Sequence, residues 1–278
     1  EITVKLLPLP ESVVVAQVAF PTLEAAGQAV MGIIGAGIVP AGIEMMDQVA
    51  VEVVEAYIRM NLPTDAAALL LVELDGSAAD VDAQLGAVEG IVGACRGYDL
   101  RVARDAESRA RLWAGRKAAF PALGRVATDF YIMDATVPRK HLSHILRRIG
   151  ELSAQHGLRV ATAFHAGDGN LHPLILYDAA VPAQVEQCEA LADALLDECL
   201  ALGGSISGEH GVGAEKLDKS CRQFGDAELT CYHAIKAAFD PAGLLNPGKA
   251  IPTLTRCAEL KGTHVHGGAL PHADLPRF

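Results

Sequence analysis

The sequence predicts an α+β domain in which helices cover a largely antiparallel sheet. Strand-type runs alternate with helix-type runs along most of the chain. Between Arg159 and Tyr177 a strand pair is interrupted only by Gly167-Asp168-Gly169-Asn170, a connection too short to join parallel strands. With 278 residues, 51% of them hydrophobic and 21% charged, the chain can bury a substantial core. A doubly wound parallel sheet is the second choice.

Residues 1–10 alternate like a strand already under way and end at Pro8 and Pro10, so they are expected to be the remnant of a preceding domain. Val13 to Phe20 is β-branched and strand-like. Pro21-Thr22-Leu23-Glu24 opens an Ala-rich helix that stops at Gly35/Gly37. Its Gly32-Ile33-Ile34-Gly35-Ala36-Gly37 resembles a dinucleotide fingerprint, but it closes a helix where that motif must open one.

A strand over Ile38 to Met46, a helix over Gln48 to Met60, a strand over Ala68 to Leu74, a helix from Ser77 and a strand over Tyr98 to Arg104 complete a first set. A second set has a helix over Ala106 to Phe120, a strand over Phe130 to Val137, a helix over Pro138 to His156, the strand pair, and a helix over Pro182 to Leu202. The rhythm leaves residues 214–239 unassigned. The main domain is expected to span residues 11–240. After residue 240 five prolines forbid long regular elements, so 241–278 should either remain mobile or dock, with docking on another domain or a partner subunit the preferred reading.

A net charge of −11 argues against nucleic acid, whose phosphates need a basic surface. The apolar run Val13 to Ile43 is broken by Gln17, Pro21, Glu24, Gln28 and Pro40, short of the roughly 20 uninterrupted residues a membrane span needs. The six cysteines have no CxxC pair and no iron–sulfur spacing; their wide spread fits a cytoplasmic protein better than a stapled secreted scaffold.

Chemistry concentrates in Phe164-His165-Ala166-Gly167-Asp168-Gly169-Asn170-Leu171-His172. If Gly167 to Asn170 is the hairpin turn, His165 falls directly opposite His172 on one sheet face, with Cβ atoms about 4.5–5.5 Å apart. Two imidazoles so placed can chelate a divalent cation, or can be ordinary histidines beside a turn. A third ligand is offered by Gly208-Glu209-His210-Gly211. In an extended loop Glu209 and His210 point opposite ways, so Glu209 would complete a His-His-Glu site while His210 serves as a base. Read alone, the same loop is simply mobile and glycine-rich.

These motifs, followed by Phe239-Asp240-Pro241 through Leu245-Asn246-Pro247-Gly248-Lys249, resemble in order the C-terminal domain of FAD-linked oxidases related to vanillyl-alcohol oxidase and D-lactate dehydrogenase. Leu112-Trp113-Ala114-Gly115-Arg116-Lys117 and the closing residues resemble the glycolate-oxidising branch in particular. The resemblance implies a ferredoxin-like fold and a metal held by His165, His172 and Glu209. It also implies His210 as the proton acceptor, Arg116 on the substrate carboxylate and Asn246 near the flavin. Leu174 and Ile132 stand where some metal-using relatives carry polar residues.

The implied activity is oxidation of a 2-hydroxy acid, glycolate or D-lactate, to a 2-oxo acid. FAD would be bound mainly by another domain, and Zn, Mn or Fe would be the metal. Electrons would pass to partner subunits that include an iron–sulfur subunit, and those partners would supply any attachment at the inner face of a membrane. A free-standing metal hydrolase using the same triad and a non-catalytic interaction module are the competing readings.

Overall fold

The computed structural model describes residues 1–252. Strand β1 (Ser12–Phe20) is buried almost throughout, as its continuous β-branched run requires of a strand covered on both faces. Helix α1 (Leu23–Gly35) starts where the Thr22 hydroxyl accepts Ala25 N–H at 3.1 Å. Strand β2 (Gly42–Asp47) is shorter than the expected Ile38–Met46, beginning only beyond Pro40, which has no N–H for a ladder. Helix α2 (Gln48–Ile58), β3 (Ala68–Gly76), α3 (Ala78–Ala94) and β4 (Tyr98–Ala103) follow as expected.

The expected helix over Ala106 to Phe120 is two helices, α4 (Ala106–Lys117) and α5 (Ala119–Leu123). The expected strand over Phe130 to Val137 is also divided, into β5 (Asp129–Ile132) and β6 (Ala135–Thr136). A 3-10 turn leads into α6 (Leu142–His156), then β7 (Val160–His165), β8 (Asn170–Leu171), β9 (Pro173–Tyr177) and α7 (Pro182–Ala201). The unassigned stretch contains α8 (Leu217–Gln223) and α9 (Asp226–Phe239).

Every strand pairing is antiparallel, and the main sheet runs β4-β1-β3-β2-β7-β8-β6. Its first half is the 4-1-3-2 order of a ferredoxin-like unit. The second half repeats that order: a bridge between Thr136 and Ser205 adds a fourth position beside β6, giving Ser205, β6, β8, β7. Two such units therefore meet edge to edge through β2 and β7, where Glu44 pairs with His165.

Helices α1, α3, α6 and α7 pack on one face over a core that includes Val18, Phe20, Ile33, Met45, Leu70 and Phe164. Helices α2 and α5 cover part of the other face, over Met46, Val54, Leu69, Leu123 and Leu174. Strand parity puts Glu44 with Met46, His165 with Ala163, and His172 with Leu174 on this second face. The functional side chains thus share the sheet face that the four larger helices leave open.

Residues 1–10 carry no helix or strand and are exposed. The 241–252 segment is tied back by Ala250 N–H to Gly213 O at 2.7 Å and by His233 to Pro252 O at 2.9 Å. Part of the expected docking tail, residues 253–278, lies outside the described residues. Among the described residues no helix is long and apolar enough to cross a membrane.

Candidate metal centre

His165 ends β7, and the hairpin register pairs it with Asn170 rather than with His172. The turn is Ala166 to Gly169: Asp168 N–H bonds His165 O at 3.2 Å, and Gly169 takes φ +70°, which L side chains rarely adopt. The two-residue shift keeps parity. His172 remains on the face of His165, diagonally placed, with ring centroids 5.2 Å apart and planes at 86°.

The orientation of His172 follows from a proline. The register that pairs Ile132 with Leu174 and Ala135 with Leu171 sets Pro173 opposite Met133. Met133 N–H donates to Pro173 O at 2.9 Å, but Pro173 has no N–H to return. Met133 O instead faces His172 Nδ1 at 3.3 Å. A carbonyl can only accept, so Nδ1 carries the proton and Nε2 keeps the lone pair. Burial to 3% exposure pushes the His172 pKa down, favouring this neutral ring.

His165 is fixed differently. Its Nδ1 lies 2.6 Å from Glu44 Oε1, and Glu44 Oε2 accepts Arg116 Nε–H at 2.9 Å. Glu44 and Arg116 are 7% and 8% exposed. Arg116, expected on a substrate carboxylate, therefore has one nitrogen committed behind His165; no hydrogen bond among the described residues uses its other two.

The loop carrying Glu209 and His210 is not extended. The side chain of Asp134, wholly buried where β5 and β6 part, accepts the Ser207 hydroxyl at 2.6 Å and the N–H groups of Gly208, Glu209 and His210 at 3.0, 3.2 and 2.9 Å. Burial alone would raise the Asp134 pKa; the Ser207 hydroxyl, the His210 and Gly208 amides and Lys216 outweigh it and lower it to about 2. Lys216 adds a 2.6 Å bond from Nζ to Asp134 O. A Cβ at position 208 would lie 2.3 Å from Asn170 Oδ1, so only glycine allows the loop this close.

Wrapping on one carboxylate turns Glu209 and His210 to the same side, contrary to the extended-loop expectation. Glu209 Oε1 lies 3.0 Å from His172 Nε2, 3.6 Å from His165 Nε2 and 3.5 Å from His210 Nε2. The His210 ring stacks on His172 with planes 8° apart. One ligand atom each from His165, His172 and Glu209 lies within 4.8 Å of the others. The Nε2 of His172, which keeps its lone pair, and the Nε2 of His165 thus converge on one carboxylate oxygen. Such a set of electron donors repels itself unless a proton or a cation sits among them, so it fits a divalent ion.

Beside His210 opens a cleft of about 310 Å³ lined by Ile132, Val212, Glu215 and Lys216. Asn246 is exposed in the 241–250 segment at φ +45°, and among the described residues no hydrogen bond links its side chain to the cluster. Glu44 and Asp134 are the site residues that motif reading passes over. Their one sequence signal is a lone carboxylate within an otherwise apolar strand.

Residues 9–250 match the family model described as FAD linked oxidases, C-terminal domain. The chain belongs to this family. It is 51% identical to "Glycolate oxidase subunit GlcD" of Escherichia coli strain K12 over 100% of the chain and 56% of that protein. It is 32% identical to the mitochondrial "D-lactate dehydrogenase [cytochrome]" of Arabidopsis thaliana over 91% of the chain and 44% of that protein. The chain thus spans about half the length of these FAD-linked oxidase relatives. The fold is similar to part of p-cresol methylhydroxylase, with a TM-score of 0.66 at 16% identity over 88% of the chain and 54% of that structure.

Proposed function

We propose that this chain is the substrate-facing part of an FAD-dependent 2-hydroxy-acid dehydrogenase that oxidises glycolate or D-lactate to the 2-oxo acid. The observation that carries the reading is the meeting of His165 Nε2, His172 Nε2 and Glu209 Oε1 beside His210. His165, His172 and Glu209 would hold a divalent cation, Zn, Mn or Fe. A bound cation would acidify the 2-hydroxyl, and FAD would supply the hydride acceptor.

His210 Nε2 faces the same centre and takes the hydroxyl proton. Its side chain is half exposed, so the proton can pass on to solvent. The two uncommitted nitrogens of Arg116 grip the substrate carboxylate, and the cleft beside His210 receives the rest of the molecule. Asn246 approaches the flavin, which residues outside this chain bind in the main.

Residues 1–10, with Ile2, Val4, Leu6 and Leu9 all exposed, belong against the flavin-binding part, and 241–278 dock there or on a partner subunit. Electrons leave through partner subunits that include an iron–sulfur subunit. Support for partners is the relative's own description as a subunit.

The test is dye-coupled oxidation of glycolate and D-lactate by the whole protein, with metal analysis beside it. His172→Ala and Glu209→Gln should lose both metal and turnover. Full metal content in both variants would end the reading.

A further inference from the structure

We propose that Glu44 is a positioning residue that aims His165, and that it does so as the shared acceptor of two donors, the His165 Nδ1–H and the Arg116 Nε–H. The inference rests on the reading that His165, His172 and Glu209 hold a divalent cation, and it adds two residues that are not ligands.

Glu44 sits in β2 with Ile43 and Met45 turned to the four-helix face, so its carboxylate points the other way, into the seam against β7. A carboxylate only 7% exposed is costly unless its charge is matched. Arg116 matches it at Oε2, which leaves Oε1 as a charged acceptor 2.6 Å from His165 Nδ1. A carboxylate oxygen accepts, so Nδ1 is the nitrogen that donates to it, and Nε2 is left as the ring atom turned toward Glu209 at 3.6 Å.

The two imidazoles are thus held by unequal devices. His172 bonds a neutral carbonyl at 3.3 Å, and His165 bonds a carboxylate at 2.6 Å. A carboxylate partner raises the basicity of a ligating imidazole more than a carbonyl does. It also ties the aim of His165 to Arg116, so a pull on the guanidinium by a bound anion is transmitted to the ring through one side chain.

Glu44→Gln leaves a single oxygen for two donors. The arginine can use only an oxygen, so the amide NH₂ turns to His165 and favours a proton on Nε2. Because that variant leaves Arg116 buried without its counter-charge, Glu44→Met combined with Arg116→Met serves as a second variant in which no charge is orphaned. Glu44→Asp tests rescue by a shorter carboxylate. Met46→Ala, on the same strand, controls for general loosening.

Three quantities are read on the whole protein: the His165 tautomer from ¹⁵N shifts of the metal-free form, zinc affinity by competition with a chromophoric chelator, and thermal unfolding. Wild type should show the Nδ1–H tautomer. Glu44→Gln and the double variant should lose that preference and bind zinc roughly 10–100-fold more weakly, a loss larger than Met46→Ala produces for an equal drop in unfolding temperature. Unchanged tautomer and affinity, or a loss that merely follows unfolding temperature, overturns the inference. If wild type binds no zinc, the metal reading fails by itself, and the tautomer comparison alone decides whether Glu44 aims the ring.

Discussion

Pro173 lies opposite Met133 in the sheet and cannot donate to it, and the carbonyl left free is the one His172 Nδ1 faces at 3.3 Å. A residue usually counted as a ladder breaker thereby decides which nitrogen of a buried histidine is presented to the site. Pro173→Ala returns an N–H to that position, where it competes with His172 for one carbonyl. We expect about tenfold weaker zinc binding with little change in secondary structure, read by chelator competition and circular dichroism.

His210 shares the centre without belonging to the three-ligand set. His210→Asn should lower kcat by about 10²–10⁴-fold while metal content stays at the wild-type level. Parallel loss of metal and turnover would instead make His210 a ligand. Metal analysis beside steady-state kinetics separates the two.

Asp134 ties the Glu209 loop to the sheet, and its pKa is lowered from 3.8 to about 2. A carboxyl whose folded pKa is depressed contributes stability that is complete above its unfolded value and disappears as pH falls through the folded value. That contribution is roughly 2 kcal/mol at neutral pH. Asp134→Asn should be less stable than wild type by at least that amount at pH 7, and the gap should narrow between about pH 4 and pH 2. Urea unfolding of both proteins across this range measures it. A gap that does not change with pH would mean the charge of Asp134 is irrelevant to the loop.

Much of the site could be read from the sequence because it depends on parity. Two histidines seven residues apart around a tight turn share a face whether the hairpin closes at Gly167–Asn170 or, as it does, at Ala166–Gly169; a shift of two residues preserves the side. The third ligand depended on motif order. Glu44 and Asp134 stayed hidden because a strand pattern records which face a residue occupies and not what meets it there. Glu44 meets a partner 121 residues away, and Asp134 bonds amides 74 to 76 residues away.

The same limit governs the fold. Alternating strand and helix runs mark nearly every element as far as α7, yet they fit parallel and antiparallel sheets equally; the short turn after His165 made the choice. Pro40 shortened β2, and Pro173 accompanied the division of a strand expected to run unbroken from Phe130 to Val137. Helices α8 and α9 went unassigned, since few of their side chains are buried and their apolar pattern is weak.

The join of β2 to β7 has a consequence for how this centre can be weakened. The three ligands His165, His172 and Glu209 belong to the second ferredoxin-like unit, while Glu44 and Arg116, which stand behind His165, belong to the first. Sliding one unit past the other by two residues would preserve every helix and the inside–outside alternation, yet would leave His165 facing Met46 or Gly42. A molecule in that state would pass as native by its helix content and keep its three ligands together, yet hold metal more weakly, since His165 would have lost the carboxylate that aims it.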